Sequence, residues 1–301
     1  MQEVTVRLPA STSNLGPGFD CLGVALRLYN HVTVRRGEKT GGGPMVREAA
    51  KAFFTEAHLP PFAFSCETRG DVPVSRGLGS SVTVRLGVLH GLNALSGRPL
   101  QRQQIFQLCS ELEGHPDNAA PAEFGGFNLV RTGSRQRFAV SAALKFILLV
   151  PDFEVSTREA RALLPDRISR AGAVESCGNA CAIAAAFASA KYENVRGAFR
   201  DFLHQPFRTK LVPFFDEVVA AAEDAGALGA FLSGSGSTIA AVTLRDPQKA
   251  AAAMLSAASP GSAGVNAPGY NKARIVITTA DNRGAHVLPI GNQQSAVRNP
   301  R

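Results

Sequence analysis

The sequence predicts an α+β protein, and three observations carry that reading. Short stretches of alternating apolar residues recur through the first half of the chain, as half-buried strands require. Long runs with helical periodicity follow them and dominate the second half. Three glycine-rich turns, each mixing glycine with hydroxyl or amide side chains, stand directly after strands. At 301 residues, with 45% hydrophobic and 19% charged side chains, the chain can bury a large core and lacks the composition of a disordered one.

The elements follow in order. Val4–Leu8 alternates as a strand, a loop follows, and His31–Arg36 alternates again at Val32 and Val34. Phe62–Thr68 gives a third strand, which leads into the second glycine turn. Helical spacing takes over at 80–95 and again at 101–113, and Ser96-Gly97-Arg98-Pro99 between them is a stop followed by a restart. Gly125-Gly126 opens a strand over Phe127–Arg131, and Phe138–Pro151 holds one or two more. Beyond Pro151, helices are predicted at 156–164, 170–190, 193–204 and 211–225. A short strand-loop-strand around Ser233–Ser237, a helix over Pro247–Ala258 and a strand over Arg274–Thr279 complete the order. Ser259–Gly269 reads as a loop and the polar tail from Gly291 as frayed. No internal repeat or long linker separates the halves, which are expected to share a cleft.

Composition narrows the function. The net charge is +8, but the basic residues are dispersed, with slight clustering at Arg35-Arg36 and Arg131–Arg137, and there is no Trp. Charge alone does not choose between nucleic acid and a phosphorylated small molecule, but without a basic-aromatic ribbon nucleic acid is the weaker reading and is not expected as a partner. The first residues, MQEVTVRLPA, alternate like a strand and contain no signal-peptide core. The most apolar run, Ala180–Ala190, is too short to span a bilayer, so a soluble, cytoplasmic protein without a membrane partner is expected. Five scattered cysteines (Cys21, Cys66, Cys109, Cys177, Cys181) make a disulfide framework improbable. Cys177 and Cys181, four apart on one helix face with no companion ligand, read as small core residues.

The most informative stretch is Pro73-Val74-Ser75-Arg76-Gly77-Leu78-Gly79-Ser80-Ser81-Val82-Thr83. Gly77 and Gly79 let backbone approach a ligand closely. The helix that starts after them presents free N–H groups and the positive end of its dipole, a geometry suited to phosphate. No lysine follows the second glycine, so this is not the P-loop nucleotide signature, nor is it G-x-G-x-x-G. Taken alone it reads more readily as a turn with Ser80 capping a helix. The other two turns, Pro9–Asp20 and Ser233–Thr238, change that balance, because several anion-binding concavities together could hold a triphosphate and its acceptor. Phosphoryl transfer also needs a hard cation, and Glu113 is a candidate carboxylate to stand beside Ser81. From spacing alone Glu113 reads as readily as a solvated helix-end carboxylate, and His115, a loop histidine before proline, as structural.

These segments carry a resemblance. Pro9-Ala10-Ser11-Thr12-Ser13-Asn14-Leu15-Gly16-Pro17-Gly18-Phe19-Asp20-Cys21-Leu22-Gly23, Gly77-Leu78-Gly79-Ser80-Ser81, Glu113-Gly114-His115-Pro116-Asp117-Asn118-Ala119-Ala120-Pro121, Val155–Pro165, Pro206-Phe207-Arg208 and Ser233–Thr238 stand in the order of the GHMP small-molecule kinases over nearly the whole chain. Val155–Pro165 and the Asp117-Asn118 pair resemble the family's homoserine kinase branch in particular. The resemblance implies a two-part α+β architecture. Residues 1–150 would form an N-terminal half like domain 2 of ribosomal protein S5, carrying the ATP loop. Residues 151–301 would form a C-terminal, ferredoxin-like α+β sandwich on the substrate side.

By the same resemblance, residues 73–83 would bind ATP, with Ser81 and Glu113 at the positions of the Mg²⁺ contacts. Asn14, Asp20, Asn118 and Gly234 would hold L-homoserine, Asp20 meeting the ammonium, and Arg161 and Arg208 would grip its carboxylate, a task suited to a forked guanidinium. Asn118 would lie near the reacting hydroxyl, with Asp117 as a rival base and Ser81 assisting. Pro44-Met45-Val46 stands where the family often has Asn-Leu-Val near adenine. The resemblance also allows a homodimer, although no stretch marks an interface. Two other readings stay open: a kinase of this fold for another alcohol, such as mevalonate or a sugar, and a non-catalytic binding protein on an S5-like fold.

Overall fold

The computed structural model describes residues 2–37, 41–259 and 272–289. Most of the loop expected at Ser259–Gly269, and the tail from Gly291, lie outside the described residues. Two antiparallel sheets organise the chain. β1 (Glu3–Ser13) and β2 (Leu22–Arg36) form the spine of the first. Their partners are β3 (Phe64–Gly70), β4 (Phe127–Arg131), β5 (Ser134–Phe138) and β10 (His286–Val287). The order is β10-β1-β2-β4-β5, with β3 pairing the C-terminal part of β2. In the second sheet β6 (Lys145–Pro151), β7 (Gly229–Leu232), β8 (Ile239–Thr243) and β9 (Ala273–Thr278) lie in the order β7-β8-β6-β9. Helices connect β6 to β7 and β8 to β9, which makes this the ferredoxin-like half.

Alternation assigns each strand of the second sheet its two faces. Phe146, Leu148 and Val150 of β6 point into the core between the sheets, whereas Ile147 and Leu149 point into a separate core. The latter is closed by α8 (Phe215–Asp224) and α9 (Pro247–Ala257). The first sheet changes sides along its length. Val4, Val6, Leu8, Val32 and Val34 face an outer core, while Ala10, Leu22, Val24 and Leu26 face the core between the sheets. The register shift between Pro9 and Ala10 marks the change, as a bulge that bends and re-aims a strand does.

Four helices cover the outer face of the first sheet: α1 (Pro44–Glu56), α2 (Ser80–Leu95), α3 (Arg102–Glu113) and α4 (Ala119–Phe124). α2 lies close to β2 because it carries glycine where they touch. A Cβ on Gly87 would fall 2.4 Å from Val32, and one on Gly91 the same distance from Val34. α4 is anchored by the fully buried Glu123, whose carboxylate meets His90 Nε2 of α2 and Arg102 Nε of α3, each at 2.7 Å. Burial alone would raise the Glu123 pKa, but His90 and Arg102 outweigh it and hold the group below its ordinary value.

Several expectations need correction. β1 runs on to Ser13 and β2 begins at Leu22, so both absorb residues read as loop. Helices α1 and α4 were not anticipated, although Val46, Ala49, Ala50, Phe53 and Phe54 have the helical i, i+3, i+4 spacing and Pro44 stands at the helix start. No helix spans 193–204. A 3₁₀ turn covers Tyr192–Val195, and Asp201 accepts backbone N–H groups of Leu203, His204 and Gln205, which starts α7 (Gln205–Arg208) instead. The expected boundary at 150/151 falls inside β6, and β10, from the far end of the chain, returns to the first sheet.

The helix α6 (Arg170–Ser189) overturns one further expectation. It buries Gly172, Ser176, Ile183, Ala186 and Phe187, a face that turns Cys177 and Cys181 to the surface rather than into the core. An 18-residue stretch of it has a mean hydropathy of 1.2, so by length and composition alone it is long and apolar enough to cross a membrane. Its Ile183, Ala186 and Phe187 are nevertheless part of the core between the sheets.

The close seat of α2 is testable. Gly87→Val should lower folding stability by about 1–3 kcal/mol through overpacking against Val32, read as a shift of the urea midpoint with unchanged slope.

Candidate active site

The loops at one end of β1, β3 and β7 interlock through backbone contacts that only glycine permits. Gly77 has φ +71°, and a Cβ there would lie 2.0 Å from the Ser233 carbonyl oxygen. Ser233 Oγ donates to the Gly77 carbonyl at 2.7 Å and pairs with Thr12 Oγ1 at 2.8 Å. Asn14 Nδ2 donates to the Gly234 carbonyl at 3.0 Å. Gly79, at φ +69°, is the residue before α2, and a Cβ on it would meet Ser11 Oγ at 2.3 Å. The three glycine-rich turns therefore meet at one place, and the free N–H groups of the α2 N-terminus open there.

A cavity of about 370 Å³ lies at that junction, walled by residues from both halves of the chain. Of the predicted nucleotide loop, Val74, Ser75, Arg76, Gly77, Gly79, Ser80, Ser81 and Val82 line it. Leu78 and Thr83 do not: Leu78 is buried in the core between the sheets, and Thr83 Oγ1 donates to the Ser80 carbonyl and accepts from Asn30 Nδ2. Pro73 also falls outside the lining. Asn14, Asp20, Glu113, Asp117, Asn118, Arg161, Arg208 and Gly234 all line the cavity. Met45, at the start of α1, does so as well, while Val46 beside it is buried in the outer core.

Each side chain has a defined setting. Asn118, which precedes α4, accepts from Ser11 Oγ and donates to Ser13 Oγ, both at 2.8 Å. Asp117 Oδ1 meets His115 Nδ1 at 2.6 Å and accepts the Asn118 N–H at 3.0 Å. Burial alone would raise the pKa of Asp117, but His115, Ser13 and the Asn118 N–H outweigh it and hold the carboxyl below its ordinary value. Burial opposes the charge on His115, yet Asp117 overrides it and keeps that pKa raised. The two form an ion pair. Cys21, nearby, is no thiolate: burial, then Asp117 and Asp20, push its pKa up to about 11.

The two arginines differ in their partners. Arg161, on α5 (Thr157–Ala162), binds Asp20 through two parallel contacts, Nη1–Oδ2 at 3.0 Å and Nη2–Oδ1 at 2.6 Å. Arg208, on α7, is 2% exposed. Among the described residues it donates only to neutral acceptors: the Gly234 carbonyl from Nη1 at 3.1 Å, the Ala160 carbonyl from Nε at 3.3 Å, and His204 Nδ1 at 3.3 Å. No carboxylate lies within ion-pair distance of it among the described residues. Burial, then the like charge of Arg161, lower its pKa to about 10. A buried guanidinium without a counter-ion is costly to the fold.

Ser81 Oγ donates to Glu113 Oε2 at 2.9 Å. Glu113 Oε1 is buried and makes no hydrogen bond; Arg85 Nε lies 3.3 Å from it without hydrogen-bond geometry. Two residues in this region were not foreseen. The Phe19 ring lies under both guanidiniums, 5.3 Å from Arg161 and 5.1 Å from Arg208. His204 backs onto Arg208, and its spacing of four from that arginine on one helical turn was the available signal.

Comparison with known proteins shows the family. The family model for the GHMP kinases N terminal domain matches residues 44–126, and that for GHMP kinases C terminal matches residues 183–261. The chain belongs to the GHMP kinases. Among relatives of this GHMP kinase, a homoserine kinase of Caldicellulosiruptor bescii is 38% identical over 257 residues, 79% of this chain and 84% of the relative. One from Clostridium beijerinckii is 40% identical over 255 residues, with 79% and 86% covered. The crystal structure of homoserine kinase from Cytophaga hutchinsonii superposes with a TM-score of 0.83 at 28% identity, covering 96% of this chain and 98% of that one. A mevalonate kinase, at 14% identity and a TM-score of 0.68 with 93% and 99% covered, shares the fold alone.

The His115–Asp117 pair has a signature in pH. The raised His115 pKa contributes stability that is full below its unfolded value of 6.5 and is lost as pH rises through the folded value. The lowered Asp117 pKa contributes stability present above its unfolded value of 3.8 and lost as pH falls through the folded value. Asp117→Asn should therefore destabilise most between those two pH values and flatten the stability profile on both sides, measured as urea midpoints from pH 3 to 9.

Proposed function

We propose that this GHMP kinase transfers the γ-phosphoryl group of ATP to the side-chain hydroxyl of L-homoserine, giving ADP and O-phospho-L-homoserine, a step of threonine biosynthesis. The observation that carries the choice of acceptor is Arg208, a buried cation in the cavity wall with no carboxylate partner. A sugar or other neutral alcohol gives such a group nothing to bind, whereas the α-carboxylate of an amino acid does. The names of the relatives point the same way.

In this reading the turn at 73–83 and the N-terminus of α2 hold the triphosphate, whose charge meets the backbone N–H groups after Gly79. Arg161 and Asp20 already form a bidentate pair. An amino acid, carrying an ammonium and a carboxylate, can exchange for it by placing its ammonium on Asp20 and its carboxylate between Arg161 and Arg208. Asn14 and Gly234, hydrogen-bonded to each other, set the floor beneath it. Asn118, its amide fixed by Ser11 and Ser13, stands beside the acceptor hydroxyl.

Catalysis then rests on alignment and charge. A loose phosphoryl transition state asks little of a base, and Asp117, bound to His115 and held below its ordinary pKa, is a weak one. Its part is to hold the Asn118 N–H and the His115 ring. In-line approach of the hydroxyl and stabilisation of phosphoryl charge by backbone N–H groups supply the acceleration. Mg²⁺ fits beside the triphosphate at Ser81 and Glu113, a hydroxyl and a carboxylate whose Oε1 lacks a hydrogen bond, both hard oxygen donors. Bound there, the ion would neutralise charge on the phosphate oxygens.

A coupled ADP-release assay with MgATP and L-homoserine, L-serine, L-threonine, mevalonate or galactose tests the reading. Strong preference for L-homoserine is expected. Turnover of mevalonate or galactose instead would move the specificity, and no release with any acceptor, together with no MgATP binding, would overturn the enzyme reading. Arg208→Ala should raise KM for L-homoserine by about ten- to a hundredfold, the worth of a charged hydrogen bond. Glu113→Gln should raise the Mg²⁺ concentration needed for half-maximal rate at fixed L-homoserine.

A further inference from the structure

We propose that His204 is a positioning residue for the acceptor's carboxylate: one ring nitrogen holds Arg208 Nη1 and the other holds the Gly16 carbonyl, so that the arginine and the turn ending at Asp20 are set as one unit. This rests on the reading of Arg208 as the carboxylate grip. His204 does not line the cavity and touches no reacting group; it acts through Arg208.

The hydrogen bonds settle the tautomer. His204 Nε2 lies 2.8 Å from the Gly16 carbonyl oxygen, which can only accept, so Nε2 carries the proton. Nδ1, left bare, accepts from Arg208 Nη1 at 3.3 Å. The ring is fully buried. The charged groups that face it are Asp201, Arg208 and Asp20. Asp201 and Asp20 favour its protonation, but burial, assisted by Arg208, lowers the pKa to about 4. The imidazole is therefore neutral near neutral pH, the state in which it can accept from a guanidinium.

Both ends of this bridge are rigid. Gly16 has φ +71°, and a Cβ there would lie 2.2 Å from the Phe199 carbonyl oxygen, so its turn cannot shift towards that strand of chain. His204 and Arg208 flank one helical turn, and the N–H of His204 is itself held by the Asp201 carboxylate. Phe19, from the same turn as Gly16, stacks on the imidazole at 5.2 Å and 29° and packs under both arginines. Without Nδ1 as acceptor, Arg208 Nη1 keeps only the Gly234 carbonyl, and the direction of the guanidinium is no longer tied to the turn that carries Asp20.

Two substitutions separate the ring nitrogens. The side-chain carbonyl of Asn can stand at the Nδ1 position and accept from Arg208, whereas the amide of Gln reaches the Nε2 position and keeps only the Gly16 bond. KM and kcat are measured for L-homoserine and for MgATP, together with turnover of 3-amino-1-propanol, which is L-homoserine without its carboxylate. His204→Gln should raise KM for L-homoserine about tenfold, leave KM for MgATP unchanged, and reduce the preference for L-homoserine over 3-amino-1-propanol by the same factor. His204→Asn, which keeps the hold on Arg208 but releases the Gly16 turn, should change each measure in the same direction by a smaller factor, between His204→Gln and the unmodified enzyme. A His204→Gln enzyme with unchanged preference, beside an Arg208→Ala enzyme that loses it, would overturn the positioning role alone. An Arg208→Ala enzyme that keeps its preference would overturn the carboxylate reading itself. Should a variant fail to fold, ¹⁵N spectra of the unmodified protein decide. A bare Nδ1 from pH 5 to 9 that shifts when L-homoserine binds supports the proposal, and an imidazolium or an Nδ1–H tautomer overturns it.

Discussion

The approach of Gly77 to Ser233 brings the backbones of the two halves within a distance that no side chain would allow. Everything at the cleft is referred to that contact. Thr12 joins it through Ser233, Asn14 through Gly234, and the N–H of Thr238 reaches the Arg76 carbonyl at 3.3 Å. Because these are short bonds between backbone and small polar side chains, few rotatable torsions lie between the nucleotide loop and the turn that faces the arginines. The cleft is consequently a set of fixed positions rather than a groove between separately mobile lobes.

Charge in the cleft is arranged on that frame. Asp20 with Arg161, and Asp117 with His115, are matched pairs, and Arg208 stands without a carboxylate. Leaving a buried guanidinium without a counter-ion is unfavourable for folding, and the Arg161 charge nearby adds to the cost. Three neutral acceptors hold the group in place without neutralising it. The proposed acceptor supplies the missing negative charge, so the same unpaired state that weakens the fold becomes binding energy when the ligand arrives.

How much of this was legible depends on the range of the interaction. The helix at 80–95 could be read because its glycines, hydroxyls and apolar spacing are local signals. The grouping of Ser81, Glu113, Asn118 and Arg161, which are far apart in the chain, was implied only by the resemblance to the GHMP kinases. The end of β1 and the start of β2 were read as loop because Ser11, Thr12 and Ser13 are polar; Ser11 is buried against Gly79 and Asn118, and Thr12 and Ser13 against Ser233 and Gly234, all far away in the chain. The helix expected at 193–204 gave way to Asp201, which draws backbone N–H groups out of a helical ladder, a competition that propensity does not score. Cys177 and Cys181 had the spacing of a helix face, but the spacing does not tell which face meets the core.

By itself, the sequence determined the α+β class, the three glycine turns, the polar residues beside them and the absence of a P-loop lysine. These depend on residues a few positions apart, where backbone dihedrals and side-chain chemistry act directly. Only the tertiary structure decided that Asp20 pairs with Arg161, that Arg208 has no counter-ion among the described residues, and that Phe19 stands behind both arginines and His204 behind Arg208. Those facts depend on distances between segments far apart in the chain, and such distances are set by how two sheets pack around a shared core.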